Sequence, residues 1–266
     1  MYVFLRSLCR RIFNFFGLGL VKAQNLEHLQ QVFIDHTCLS NKLNFYLLFD
    51  KKLNEIKSKL YKDINLLSES KSQNGQDLFA LLSNNFKKCG LFIEFGAWNG
   101  ITFSNTYLLE KRFGWTGILV DPIPNHYESM KVNRNCILVH GAITPQHQDS
   151  ILIEEMPASD LSKAAGKRKL FKKVHKVQAF TLQEMIDNNL PSREIDFLSI
   201  DTEGSDIDIL KSLDLNKYKI KSICVEHNFR EGSDQILNYM DAQGYEQVFK
   251  EFSKNDYWFV LRELIP

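Results

Sequence analysis

Cysteine is scarce and scattered in this chain. Among 266 residues there are five, Cys9, Cys38, Cys89, Cys136 and Cys224. Their number is odd, their spacing is wide and no CxxC pair occurs, which argues against a disulfide framework and a structural zinc site. Reduced thiols in a cytoplasm are the expectation. Net charge is almost lacking too: 33 basic and 32 acidic side chains leave +1. A general nucleic-acid binder carries a strong basic excess, so no nucleic-acid partner is expected. Long hydrophobic runs are missing from the N-terminal stretch, where Ile12 to Val21 is the longest uncharged segment at ten residues. A spanning helix needs about 20. A secretory signal is disfavoured as well, because Tyr2 to Leu5 place apolar residues ahead of the charges and the cleavage site is poor. No internal repeat or low-complexity tract is visible. With 44% hydrophobic and 24% charged residues, the composition excludes a disordered, collagen-like or polytopic membrane chain. The length allows one large domain or two small ones, with a sizeable core.

The neutral total conceals a segregation. Residues 1–24 contain Arg6, Arg10, Arg11 and Lys22 and no acid; residues 161–176 contain Lys163, Lys167, Arg168, Lys169, Lys172, Lys173 and Lys176 and no acid. Removing these eleven cations from +1 leaves −10 for the remainder. In the N-terminal stretch Phe4, Leu5, Leu8, Ile12, Phe15 and Phe16 fall on one side of a helix and the arginines on the other. That pattern suits a helix lying on the inner face of a membrane. It equally suits a helix packed on its own domain or on a second subunit, so peripheral membrane contact and homo-oligomerisation are both open. The second basic run suits an acidic acceptor, such as a phosphate-bearing glycan or a sugar nucleotide, or a solvated loop.

Residues 41–67 carry apolar side chains at helical spacing and read as one long helix. Residues 1–70 thus form a helical N-terminal extension, and the polar stretch Ser68 to Gly75 marks the boundary of a main domain at 71–266. There the pattern alternates. Strands are expected at Leu91–Gly96, Gly117–Asp121, Cys136–Ile143, Ile195–Asp201 and Ile220–His227. Helices are expected at Phe103–Phe113, Asn125–Val132, Leu182–Asn189, from Asp206, and at Ser233–Ala242. Ile151 to Lys176 is less regular. Two last strands, Tyr245–Phe252 and Asp256–Arg262, are separated by a hairpin-length turn. This is an α/β pattern: a mainly parallel, Rossmann-like sheet with helices on both faces and an antiparallel last strand. Such folds bind ligands beyond the carboxyl ends of their strands.

The strand ends are polar. After the first strand comes Glu94-Phe95-Gly96-Ala97-Trp98-Asn99-Gly100, spaced E-x-G-x-x-x-G. It is neither G-x-G-x-x-G nor a phosphate loop, so dinucleotide and nucleoside-triphosphate binding are disfavoured. An acid two residues before the first glycine suits a ligand with an amino group, such as the methionine end of S-adenosylmethionine, and a tight turn without a ligand has the same pattern. Asp121 closes the second strand about 25 residues after Gly96, where a carboxylate accepts ribose hydroxyls or caps a helix. His140-Gly141-Ala142 leaves space beside an adenine ring. After the fourth strand, Ser205 and Asp208 have capping-box spacing. Asp201, Glu203, Glu226, His227 and Asn228 converge if the fourth and fifth strands are neighbours. Carboxylates and an amide of this kind hold a hard divalent cation such as Mg or Mn, or supply a metal-free general base.

With these blocks in place, the chain resembles the FkbM family of methyltransferases. The matching stretches are Ser72–Phe79 (SQNGQDLF), Phe92–Pro122, Ile195–Leu210 and Cys224–Asn228, within a resemblance that runs from about residue 70 to 262. The resemblance implies a class I S-adenosylmethionine-dependent fold with strand order 3-2-1-4-5-7-6, and methylation of hydroxyl oxygens on sugars or secondary metabolites. It implies that Glu94, Gly96, Ala97 and Gly100 line the methionine half of the cofactor, that Asp121 holds the ribose, that Ala142 lies near the adenine, and that Gln73, Gln76 and Asp77 close over the site. Ser104 and Asn105 belong to the same block. Asp201 is the expected central acid, with Glu203, Glu226 and His227 in support and His227 the alternative base. Asp201, Glu226 and Asn228 resemble the acid and acid-Asn placement of metal-dependent O-methyltransferases, with His227 interrupting the pair. A non-sugar acceptor, a non-catalytic scaffold, a nicotinamide oxidoreductase and a nucleic-acid methyltransferase are the competing readings. The last two lack their motifs.

Overall fold

The structure is a computed structural model, and it describes residues 65–155, 173–202, 204–229 and 234–265. The N-terminal amphipathic segment, all but the end of the helix expected over 41–67, most of the basic run and Glu203 lie outside the described residues. Among the described residues ten strands alternate with helices: β1 (Leu91–Phe95), β2 (Thr116–Asp121), β3 (Ile137–His140), β4 (Ala142–Ile143), β5 (Ser150–Glu155), β6 (Lys173–Phe180), β7 (Glu194–Ile200), β8 (Lys219–Glu226), β9 (Tyr245–Gln247) and β10 (Asp256–Leu261). Seven form one sheet in the order β3-β2-β1-β7-β8-β10-β9. Counting only the strands of this sheet, that is the order 3-2-1-4-5-7-6 implied by the resemblance. β1 runs parallel to β2 and β7, β2 to β3, and β7 to β8, while β10 is antiparallel to β8 and β9.

Period-2 alternation divides the core. Ile93, Ile118, Val120, Ile223, Val225, Tyr257 and Phe259 pack on one face with helices Leu182–Asn189, Asp206–Ser212 and Gln235–Ala242. Phe92, Leu119, Phe197, Cys224, Trp258 and Val260 pack on the other with helices Gln76–Ser83, Tyr107–Phe113 and Pro124–Asn133. Helix Leu182–Asn189 starts where expected, because Thr181 and Glu184 form a reciprocal capping box.

Four local expectations are corrected. The strand expected over Cys136–Ile143 breaks at Gly141, and β4 joins β6 in a second, three-stranded sheet. A Cβ at Gly141 would lie 2.8 Å from the Gln178 carbonyl oxygen and the Phe180 ring, so the small residue lets β6 cross. The irregular stretch after Ile151 begins as β5, antiparallel to β6. The strand expected over Tyr245–Phe252 stops at Gln247 and gives way to helix Lys250–Ser253. Phe249 turns left-handed (φ +53°) and packs edge-on against Phe79 and Trp258, so burial of its ring ends the strand. The capping box expected at Ser205 and Asp208 is not formed: Ser205 makes no side-chain cap bond. Asp206 does that work instead, accepting from the Thr202 N–H and hydroxyl and from the Gly204 N–H. Among the described residues no helix is long and apolar enough to cross a membrane.

Candidate active site

The glycine turn after β1 is held from two sides. The Gly96 N–H donates to the Val120 carbonyl at 3.2 Å, and the Gly100 N–H to that of Ala97 at 2.8 Å. Gly96 (φ +74°) passes so close to the end of β7 that a Cβ there would lie 2.1 Å from the Asp201 carbonyl oxygen. The ends of β1 and β7 therefore touch at Gly96 and Asp201. Asp121 is buried at the end of β2. Its Oδ2 accepts from the Trp98 N–H at 2.9 Å, and its Oδ1 accepts from the Ile123 N–H at 2.9 Å and meets His126 Nδ1 at 3.0 Å. Two bulky residues of the turn, Trp98 (φ +48°) and Phe103 (φ +59°), adopt left-handed backbone, and their rings lie 6.0 Å apart. Strain of this kind gathers at ligand sites.

Beneath the turn lies a buried ionic network. Glu94 accepts from Ser104 Oγ at 2.9 Å, from the Asn105 N–H at 2.7 Å and from Thr106 Oγ1. Burial pushes its carboxyl above the usual range, opposed by the nearby Arg134 guanidinium and these bonds. Arg134, fully enclosed, donates to Glu110 at 2.8 Å, to the Gly100 carbonyl at 3.1 Å, to Ser104 Oγ at 3.0 Å and to Thr106 Oγ1 at 2.9 Å. This wrapping explains why the helix expected from Phe103 starts only at Tyr107: residues 104–106 are spent on Glu94. Asn105 also reaches Ser199 Oγ of β7 at 2.8 Å. Sequence reasoning missed Arg134, which follows a helix with no motif around it.

The other half of the site lies at the ends of β7 and β8 and the start of β10. Glu226 faces Asp256 directly across β8 and β10, and directly paired residues share a face of the sheet. Asp256 is buried, and its Oδ2 accepts from Gln76 Nε2 at 2.7 Å and from Trp258 Nε1 at 3.3 Å. Burial raises its carboxyl to about 6, against those two bonds and helped by the charge of Asp206. Asp256 was also missed, although an acid opening the otherwise apolar run Asp256–Leu261 was a visible signal. His227 goes elsewhere. Its ring stacks on Tyr257 at 4.2 Å, on the opposite face from Trp258 and Asp256, and its Nδ1 accepts from the Phe229 N–H at 3.0 Å. Burial holds it below the usual histidine range.

Of the segment before β1, Gln76 joins the site through Asp256, and its Oε1 accepts from the Asn74 N–H. Asp77 is fully buried, and its Oδ1 accepts from Ser70 Oγ, Ser72 Oγ and the Leu78 N–H, which shapes the segment itself. Gln73 is exposed. Ser72 bridges to Phe103, so the segment lies along the glycine turn. Ala97 is buried in the turn, and Ala142 is buried in β4 opposite Ala179. Among the described residues no three His, Cys, Asp or Glu side chains are placed to share a metal ion. Of the residues expected to suit a cation, Asp201 follows β7, Glu226 ends the neighbouring β8, and Asn228 adopts left-handed backbone (φ +42°).

The sequence profile described as the methyltransferase FkbM domain matches residues 94–246, more than half of the chain. The chain belongs to the FkbM methyltransferase family. Membership makes methyl transfer the chemistry expected of this FkbM methyltransferase. Its matched region starts at Glu94 and takes in the glycine turn, Asp121, Asp201 and Glu226, but stops short of Asp256. No curated protein matches the chain. Similar solved structures include a precorrin-6Y C5,15-methyltransferase from Geobacter metallireducens, 11% identical over 69% of this chain and 85% of that one, TM-score 0.39. Another is a SAM-dependent methyltransferase from Geobacter sulfurreducens in complex with S-adenosyl-L-homocysteine, 8% identical over 68% and 67%, TM-score 0.37. These likenesses are too distant to carry the assignment, which rests on the family match and the strand order.

Proposed function

We propose that this FkbM methyltransferase is an O-methyltransferase acting on a hydroxyl of a sugar or glycan. The observation that carries the reading is the meeting of three features on one edge of the sheet: an open glycine turn, a carboxylate at the end of β2, and an acid pair at β8 and β10. Gly96, Ala97 and Gly100 suit the methionine half of the cofactor, because the backbone turns left-handed at both glycines and Gly96 is exposed. Asp121 suits the ribose. Glu94 contributes by shaping residues 104–106 around its own carboxylate. The cofactor supplies a methyl group already activated on sulfur.

The protein then has two tasks: to set an acceptor oxygen in line with that methyl, and to take its proton. As the oxygen–carbon bond forms, the carbon–sulfur bond breaks, and the hydroxyl proton passes to a carboxylate. Asp256 suits that role, with its carboxyl near 6 and half of it fixed by Gln76 and Trp258. Glu226 beside it and Asp201 one strand over line the same edge. The basic run, of which Lys173 and Lys176 stand on β6, suits an anionic acceptor.

Isothermal titration with S-adenosylhomocysteine tests the cofactor half: wild type binds, and Asp121→Ala binds at least tenfold more weakly, as expected for loss of charged hydrogen bonds worth about 1.5–3 kcal/mol. Incubation with S-adenosylmethionine and a panel of nucleotide sugars and surface polysaccharides, read by mass spectrometry, tests the acceptor half. Methyl gain on nitrogen or carbon only would overturn the O-methyl reading.

A further inference from the structure

The carboxylate of Asp121 is nearly full before any ligand arrives. An ionised carboxylate has about four lone-pair sites, two on each oxygen. Oδ1 is occupied by the Ile123 N–H and by His126 Nδ1, and Oδ2 by the Trp98 N–H. One acceptor position remains, on Oδ2. A ribose presents two neighbouring hydroxyls, so Asp121 alone does not satisfy both.

We propose that His126 is the second ribose-recognition group of this enzyme, pairing with the hydroxyl that Asp121 has no room to accept. This rests on the reading of Asp121 as the ribose carboxylate. His126 stands in the first turn of helix Pro124–Asn133, so its backbone is anchored while its side chain is 29% exposed. It already touches the carboxylate at 3.0 Å. Imidazole both donates and accepts, and either role pairs with a hydroxyl. The surroundings fit a nucleoside rather than bulk solvent. The Trp98 ring of the glycine turn lies 6.0 Å from the imidazole, and Glu155, at the end of β5, lies within electrostatic reach of it. Glu155 is itself held by His175 Nε2 at 2.6 Å. The fold does not need His126 here: Asp121 keeps two backbone donors without it. A contact that the fold does not require, on the group that meets the ligand, belongs to recognition.

The test is isothermal titration of wild type, His126→Ala and His126→Gln with S-adenosylhomocysteine and with its 2′-deoxy and 3′-deoxy analogues. His126→Ala also vacates a position on Oδ1, so it is expected to weaken S-adenosylhomocysteine by no more than about tenfold, the size of one net hydrogen bond to a partly buried group. It should bind one of the two deoxy analogues as well as wild type does, because that analogue lacks the hydroxyl His126 recognises. His126→Gln, which keeps a donor and an acceptor, should recover most of the affinity. Thermal midpoints of the three ligand-free proteins should agree. The proposal is overturned if His126→Ala binds S-adenosylhomocysteine like wild type. It is overturned equally if the loss is the same for all three ligands, which would mean that the residue acts only by supporting the turn. If wild type binds none of them, the cofactor reading of the site fails and takes this inference with it.

Discussion

The two halves of the candidate site handle buried acid in opposite ways. On the β1–β2 side, Glu94 and Glu110 share one enclosed arginine that opposes the effect of burial on both, and the donors of Arg134 are spread over the loop it organises. On the β8–β10 side, Asp256 is buried with one neutral amide and one indole as donors, and the charge that acts on it is another acid. The first half is a frame: its groups are fixed by pairing, and the glycine turn inherits their rigidity. The second half is poised, because a carboxylate near 6 changes its proton occupancy close to neutral pH. The methyl transfer to oxygen proposed for this site would use both properties, rigidity on the cofactor side and proton affinity on the acceptor side.

The largest expected effect comes from breaking the frame. Arg134→Met removes the cation and leaves Glu94 and Glu110 in place, and a buried charge stripped of its partner costs about 3–5 kcal/mol. Urea unfolding at neutral pH should show a loss in that range, with Arg134→Lys between the two. A loss below 1 kcal/mol would mean that the network is not what holds the turn.

Next comes the poised half. The carboxyl of Asp256 is raised from 3.8 to about 6 in the folded protein. The folded state therefore binds this proton more tightly than the unfolded chain does. Its contribution is fully present below 3.8 and declines as pH rises through about 6. At about 1.36 kcal/mol per unit, ionisation of Asp256 removes up to about 3 kcal/mol between pH 4 and pH 7. Asp256→Asn cannot ionise, so its stability relative to wild type should rise by up to that amount over the same window. A constant difference across pH would place Asp256 in solvent rather than in the core.

The sequence disclosed the frame's position better than its wiring. β1, β2, β7 and β8 were readable because a strand covered on both faces is a short apolar run, and each ends in or is followed by glycine or acid at its carboxyl end. β5 was not, since Ser150–Glu155 is only half covered and alternates weakly. β9 was overextended because the packing of Phe249 against Phe79 joins residues far apart in the chain. Asp201, Glu226 and Asp121 announced themselves as strand-closing acids. Arg134 and Asp256 did not, because burial decides what each does: an arginine after a helix is ordinary until a fold encloses it. His227 looked like part of the acid cluster by adjacency, yet alternation along the strand sends it to the other face, stacked on Tyr257.

The smallest effect tests why Asp256 stays as low as about 6. Gln76 Nε2 donates to Oδ2 at 2.7 Å, and a donor to the ionised form lowers a carboxyl. Gln76→Met removes that donor and adds no charge. The carboxyl should then rise further, by less than about one unit if the bond is worth roughly 1 kcal/mol. Isotope-edited infrared spectroscopy of the carboxylate band across pH 4–8, with Asp256→Asn as the blank, reads the shift directly. An unchanged midpoint would mean that Trp258 alone holds the acid. A shift of two units or more would show that this amide does for Asp256 what a guanidinium does for Glu94, and the contrast between a charged frame and a neutral-donor site would collapse. The same variant loosens the tie between the segment around Asn74 and the start of β10, so its cofactor affinity reports whether that tie also closes the site.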